Sequence, residues 1–245
     1  MDNGDIFLWE LLGTATLILL GTGVVANTVL KKALGFQGGW LLINLGWGFA
    51  VFVGASIAAP SGAHINPAVT VGLATADKME WGDTWPYFLG QMAGAIIGAV
   101  LCYLTYKKQF DTHDEPENTL GIFSTGPTVP APLWNTITEV IGTFVLVFWI
   151  LTNPVADLDG ETATFGNAAL GYAAVAFVVM SIGHSLGGPT GYAINPARDL
   201  GPRIAYAFLP IKGKGSPNWG YSWVPVVGPL VGAVLAGLLF NALPS

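Results

Sequence analysis

Residues 61–70 read SGAHINPAVT, and residues 190–199 read TGYAINPARD. Each stretch holds an Asn-Pro-Ala triplet, Asn66-Pro67-Ala68 and Asn195-Pro196-Ala197. Asparagine is a good helix N-cap and proline is tolerated at the first helical position, so each triplet predicts a helix start. From Asn66 the apolar run ends near Ala76. About ten residues at about 1.5 Å each span about 15 Å, half of a roughly 30 Å hydrocarbon core. The segments are therefore expected to be half-helices that begin inside a membrane.

The spacing makes this pair a repeat. Asn195 lies 195 − 66 = 129 residues after Asn66, and Glu139 lies 139 − 10 = 129 after Glu10, where ELLGT (10–14) is answered by EVIGT (139–143). Gly54 and Gly183, Gly62 and Gly191, and Gly72 and Gly201 keep the same offset, which is the mark of a duplicated unit. A unit with an odd number of spans plus a half-helix inserts its second copy inverted, so the half-helices enter from opposite faces and meet near the midplane.

Composition points to the same class. Of 245 residues 52% are hydrophobic and 10% charged, with a mean hydropathy of +0.58, which is the balance of an integral membrane protein. The net charge of −6 argues against a nucleic-acid partner. Apolar runs predict six spans, at about 6–30, 40–59, 84–106, 133–152, 167–186 and 219–243. The first run is too long for a signal peptide and has Asp2 and Asp5 where a basic flank is expected, so it reads as a retained span. Repeat one covers about 6–106, a polar linker about 107–132, and repeat two about 133–243, in a single all-α transmembrane domain. The linker reads as an exposed connection more than as a vestibule wall. Gly90, Gly94 and Gly98 form a stripe that Gly228 and Gly232 repeat, and such stripes let helix backbones approach closely. Trp219, Tyr221 and Trp223 cluster where an aromatic belt is expected. The lone Cys102 has no disulfide partner.

Paired Asn-Pro-Ala boxes, the second continuing Arg198-Asp199-Leu200-Gly201-Pro202-Arg203, resemble those of the aquaporin and aquaglyceroporin family of channels, and its glycerol-facilitator branch in particular. The resemblance covers nearly the whole chain. It implies six transmembrane helices plus two half-helices, a homotetramer with one pore per protomer, and passive conduction of glycerol, related small neutral solutes and water with no cofactor and no enzymatic step. It also implies a location in the cell membrane with cytoplasmic termini. The positive-inside rule points the other way, because Lys31, Lys32, Lys107, Lys108, Lys212 and Lys214 fall opposite the termini and Lys78 alone beside them. The orientation implied by the resemblance is adopted here.

The residues themselves suggest how such a pore works. If the side-chain oxygens of Asn66 and Asn195 cap their own helices, their NH₂ groups are left to donate to one passing oxygen, which breaks a proton relay. Two half-helix N-termini add positive potential at the same place. An arginine at bilayer depth, Arg198, must face a wet cavity and find carbonyl partners. By resemblance Arg198 belongs to an aromatic/arginine constriction, with Gly183 and Tyr192 at the matching positions of the fifth span and the loop. Gapless counting puts Gly46 at the second-span position, whereas the Trp47-Gly48 pair resembles that of glycerol facilitators, so Trp47 is taken. Gly183 is expected to leave room for a carbon chain, with Trp47 and Tyr192 as an apolar corner and Arg198 on the other side. The neighbouring His184 offers an alternative: shifted by one residue, it would narrow the filter and make a water-selective pore.

Asp199 is expected to bind loop N–H groups or Arg203. Glu10 and Glu139 resemble the family's buried glutamates that hold the loops before the half-helices. At His64 the backbone carbonyl, not the ring, is expected to line the pore. His64, His113 and His184 have no metal-ligand spacing. An ion-coupled secondary transporter also uses inverted repeats and broken helices, but apart from Glu10, Glu139 and Asp199 the spans offer it no acidic groups.

Overall fold

The structure is a computed structural model, and it describes residues 1–152, 155–158, 161–164 and 170–244. Among these residues five helices are long and apolar enough to cross a membrane. They are α1 (Asn3–Val29), α2 (Gly39–Ile57), α4 (Thr84–Thr105), α7 (Pro132–Thr152) and α10 (Val224–Ala242). A further apolar helix, α8 (Leu170–Leu186), covers most of the expected fifth span; its expected start at 167–169 lies outside the described residues. The chain before α10 turns through Trp219 to Trp223, so the last span starts five residues later than expected. Trp219 and Trp223 are exposed there and Tyr221 is buried.

Two short helices follow the boxes, α3 (Pro67–Thr75) and α9 (Pro196–Phe208). The second has 13 residues, about 20 Å at 1.5 Å each, and so runs longer than the first. Its polar residues explain the difference, because Arg198, Asp199 and Arg203 are buried and bonded within the protein.

Each repeat packs in the same way. Helix α4 lies on α1 and α10 lies on α7, and each half-helix packs on the last long helix of the other repeat, α3 on α10 and α9 on α4. The glycine stripes make the first pairing possible: a Cβ on Gly90 would stand 2.5 Å from the carbonyl oxygen of Phe7 and 3.0 Å from Glu10 Cβ. In the second repeat a Cβ on Gly228 would meet Glu139 Cβ at 2.6 Å and the Thr136 carbonyl at 3.1 Å. No side chain beyond hydrogen fits at either contact. Cys102 is buried in the core around Leu17, Ile18 and Tyr103.

One expectation needs correction. The linker is not merely an exposed connection: it forms α5 (Lys107–Asp111) and α6 (Leu120–Phe123), burying Ile122 and Phe123 against α1 and α9 and Phe110 against Tyr103 and Phe123. The membrane fold is all-helical as expected, with a short hairpin between α7 and α8 in which β1 (Val155–Leu158) and β2 (Glu161–Thr164) pair antiparallel, Val155 opposite Thr164.

Candidate functional site

The half-helices start as their sequences require. Asn66 caps α3 by accepting from the Ala68 N–H at 2.9 Å, and Asn195 caps α9 by accepting from the N–H groups of Ala197 and Arg198 at 3.0 and 3.1 Å. Their amides then cross the repeat boundary. Asn66 Nδ2 donates to the Ile194 carbonyl at 2.8 Å, and Asn195 Nδ2 to the Ile65 carbonyl at 2.9 Å. An amide nitrogen has two hydrogens, so one donor of each asparagine is spent as a latch and one is left for the lumen. The expectation that both face the lumen is corrected accordingly.

The loops leading into the half-helices share an unusual backbone. Ala63 and Ile65 in the first, and Tyr192 and Ile194 in the second, have φ of 57°, 43°, 39° and 43°. A β-branched residue in this left-handed region is strained. Buried carboxylates hold the loops there. Glu10 accepts from the N–H groups of His64 (3.0 Å) and Ile65 (2.7 Å), and Glu139 from those of Ala193 (2.9 Å) and Ile194 (2.8 Å). Glu10 also takes the Ser61 hydroxyl and the Gln91 amide. The His64 ring stacks on Tyr87 at 4.1 Å and bonds Thr70 at 3.0 Å, so the ring is committed to packing.

Two cavities run along this axis. One, of about 680 Å³, is lined by both box loops together with Leu17, Val51, Leu146 and Val179. The other, of about 440 Å³, is lined by Trp40, Ile43 and Ser124, Thr125, Gly126 and Thr128 of the linker, among others. They share three residues, Trp47, Tyr192 and Arg198. The linker is thus a vestibule wall. It also supplies the carbonyl that a buried arginine needs: Arg198 Nη1 donates to Phe123 O at 3.1 Å.

At the junction the Arg198 guanidinium lies 3.7 Å from the centroid of the Trp47 ring, a cation–π contact. The two were expected on opposite sides of the lumen, and they stand together instead, because the ring face offers the charge a partner that lipid cannot. Trp47 faces the lumen, whereas Gly46 faces α1, where a Cβ would stand 2.5 Å from Val24.

Gly183 lines neither cavity. A Cβ there would collide with Asn44 Oδ1 and stand 2.6 Å from Tyr192 Cζ, and one on Gly187 would stand 2.5 Å from Tyr192 Cδ1. The two glycines, Gly183 in the last turn of α8 and Gly187 just past its end, form a groove for the Tyr192 ring. Gly183 therefore makes room for an aromatic wall, not directly for a carbon chain. His184 is exposed, and its Nδ1 pairs with the Met180 carbonyl at 2.7 Å; it lines neither cavity.

Behind the junction, Asp199 does both things expected of it. One carboxylate oxygen takes Arg203 Nε and Nη2 at 2.9 and 2.8 Å, and the other takes the Thr125 N–H and hydroxyl, each at 2.7 Å. Arg203 goes on to the carbonyls of Thr125 (2.9 Å) and Pro217 (2.7 Å). Both side chains are fully buried, and a buried ion pair is tolerable only when its remaining donors and acceptors are satisfied in this way.

Sequence reasoning missed Asn44, Gln91, Gly187 and Thr125. Asn44 and Gln91 carried a usable signal, since an amide inside an apolar span must find a partner within the protein.

Residues 3–240 match the family described as Major intrinsic protein. The chain is 50% identical to the glycerol uptake facilitator protein of Bacillus subtilis over 96% of its length and 84% of that protein's. It is 48% identical to the probable glycerol uptake facilitator protein of Thermotoga maritima, over 97% and 98%. Among solved structures, the aquaglyceroporin from Plasmodium falciparum superposes with a TM-score of 0.79 at 30% identity, covering 98% of this chain and 96% of that one. With a family match that spans nearly every residue and a fold that superposes along the same length, the chain belongs to the major intrinsic protein family of multi-pass membrane channels.

Proposed function

We propose that this protein is a passive channel for glycerol, passing related small neutral solutes and water while excluding ions and protons. The observation that carries this reading is the meeting of two cavities at Trp47, Tyr192 and Arg198 alone. An indole and a phenol ring offer an apolar wall to CH groups, and a guanidinium offers donors to hydroxyls, which is the chemistry of a polyol. The relatives named as glycerol uptake facilitators support the same substrate.

The residues act in sequence along the path. Arg198 repels cations at the constriction. The free donors of Asn66 and Asn195, with the positive ends of α3 and α9, orient a single passing oxygen so that it cannot relay a proton. The whole chain acts as one channel domain: repeat one at about 6–106, the linker at about 107–132 and repeat two at about 133–243. It sits in the plasma membrane with its termini in the cytoplasm and assembles as a homotetramer with a pore in each protomer. Leu41, Phe49, Leu89, Leu133 and Trp134 are exposed apolar residues suited to lipid or to neighbouring protomers.

The ion-coupled alternative loses its candidate groups. Glu10, Glu139 and Asp199 are each occupied by backbone or guanidinium donors, so none is free to cycle a coupling ion.

Stopped-flow light scattering on proteoliposomes is the test. Glycerol flux should be linear in its own gradient and indifferent to proton or sodium gradients. Accumulation above equilibrium rejects a channel, and water flux without glycerol flux rejects a polyol filter.

A further inference from the structure

The filter holds two polar atoms that are buried and without a hydrogen-bond partner among the described residues, the Tyr192 hydroxyl and Asn44 Oδ1. Asn44 is fully buried and Tyr192 is 7% exposed. Both stand against the same face of Gly183, where the absent Cβ would touch the amide oxygen of one and the phenol carbon Cζ of the other. One needs an acceptor and the other a donor.

The surroundings fix Asn44 and leave Tyr192 some freedom. Asn44 Nδ2 donates to the Trp40 carbonyl at 2.9 Å, one turn back on α2, which turns Oδ1 towards α8. The Trp40 indole N–H donates to the Gly183 carbonyl at 3.2 Å, and its ring meets the Tyr192 ring edge-on at 5.8 Å between centroids. Trp40, Asn44 and Gly183 thus form a rigid corner that the phenol leans into. Only the hydroxyl end of the ring is unfastened, and that ring is a wall of both cavities.

We propose that Asn44 is a positioning residue of the filter: its Oδ1 is the acceptor to which the Tyr192 hydroxyl turns, holding the ring over Gly183 and out of the lumen. Asn44 lines neither cavity, so it sets selectivity through Tyr192 and not by touching the solute. The bond is the tether of the ring: without the acceptor the unpaired buried hydroxyl costs more than a made bond returns and turns to the wet lumen for a partner, and without the hydroxyl nothing fastens the ring over Gly183, so either loss lets it swing into the lumen. The lumen narrows there, and glycerol is hindered more than water. The proposal rests on the reading of the pore as a glycerol channel.

The test is a double-mutant cycle read as the ratio of glycerol to water permeability, which cancels the number of folded channels. The wild type is measured first, and if it passes no glycerol the channel reading fails before Asn44 is at issue. Asn44→Leu and Tyr192→Phe should each lower the ratio about fivefold, the factor that the net worth of one hydrogen bond corresponds to. Asn44→Leu in the Tyr192→Phe background should lower it no further. A ratio unmoved by Tyr192→Phe overturns the proposal, and so does an equal effect of Asn44→Leu in both backgrounds, which marks Asn44 as helix packing. Should Asn44→Leu fail to assemble, Asn44→Ser, too short to reach the phenol, completes the same cycle with the same expected and overturning results.

Discussion

Glu139 accepts the N–H of Ile194, 55 residues further on, at 2.8 Å, and Glu10 accepts that of Ile65, also 55 further on, at 2.7 Å. Both isoleucines hold φ of 43°, a conformation that costs on the order of 1–3 kcal/mol per residue. A hydrogen bond contributes about 0.5–1.5 kcal/mol net, and each glutamate accepts two from its loop backbone. The two bonds together are of the size of the strain on each isoleucine, and the duplicated strain has a duplicated cause.

Glu139→Ala should accordingly destabilise the fold by several kcal/mol, since it leaves the Ala193 and Ile194 N–H groups buried without an acceptor, at about 1–3 kcal/mol each. Glu139→Gln keeps an acceptor oxygen and should lose less. Thermal unfolding in mild detergent measures both, and an unchanged midpoint for the alanine variant would show that the loop holds itself.

Gly183 separates a role in packing from a role in the lumen. Even Gly183→Ala places a Cβ 2.6 Å from Tyr192 Cζ, so the ring must move, and the groove leaves it only the lumen side. The ratio of glycerol to water permeability should fall with this single methyl, and further with Gly183→His. If the alanine variant keeps the wild-type ratio while His184→Ala raises it, the filter position belongs to His184.

The architecture is legible in the sequence because two signals with independent causes share one offset. The boxes at Asn66 and Asn195 report helix starts, and the glutamates at 10 and 139 report what holds the loops before them, so their common spacing of 129 marks a duplicated fold and not a chance motif. Relationships set by side-chain packing are less legible. Nothing in the order of residues says that Gly183 faces Tyr192, because the contact depends on the rotation of α8 about its axis and on the loop conformation at Tyr192. The stacking of Arg198 on Trp47 joins residues 151 apart and depends on the same packing. The linker misleads because its acidic start and proline-rich end mask Phe110, Ile122 and Phe123, which pin it down.

At the vestibule surface, Lys31 bonds Asp114 at 2.6 Å and Glu115 at 3.2 Å, tying the loop after α1 to the linker. Asp114 is held below its ordinary carboxylate value by Lys31, and Lys31 is raised by hydrogen bonds to Asp114 and then Glu115. The sign follows for each partner. The contribution of Asp114 is present above its unfolded value and lost as pH falls through its lowered folded value, and that of Lys31 is lost only as pH rises through its raised one. The tether should thus hold across the neutral range and loosen in acid below the ordinary carboxylate range of about 4. Amide exchange of residues 107–118 against pH measures this. Loosening near neutrality in wild type, or an unchanged acid profile in Asp114→Asn, would show that the ion pair does not set it.

Arg198→Val tests the polar side of the constriction. The substitution removes the guanidinium from Trp47 and Phe123 O, and with it the donors that select hydroxyls and the charge that repels cations. Two consequences should separate. Discrimination among neutral solutes should weaken, so that urea and larger polyols gain relative to glycerol, because the junction widens and loses its hydrogen bonds. Proton leak should rise only in part, because the latched asparagines and the positive ends of α3 and α9 still stand at the midplane. Proteoliposomes loaded with a pH-sensitive dye measure the leak, and light scattering measures the solutes. If both profiles stay at wild type, Arg198 is a structural cation and the selection lies elsewhere. If protons pass freely, the charge at the constriction, and not the half-helix pair, is the proton barrier.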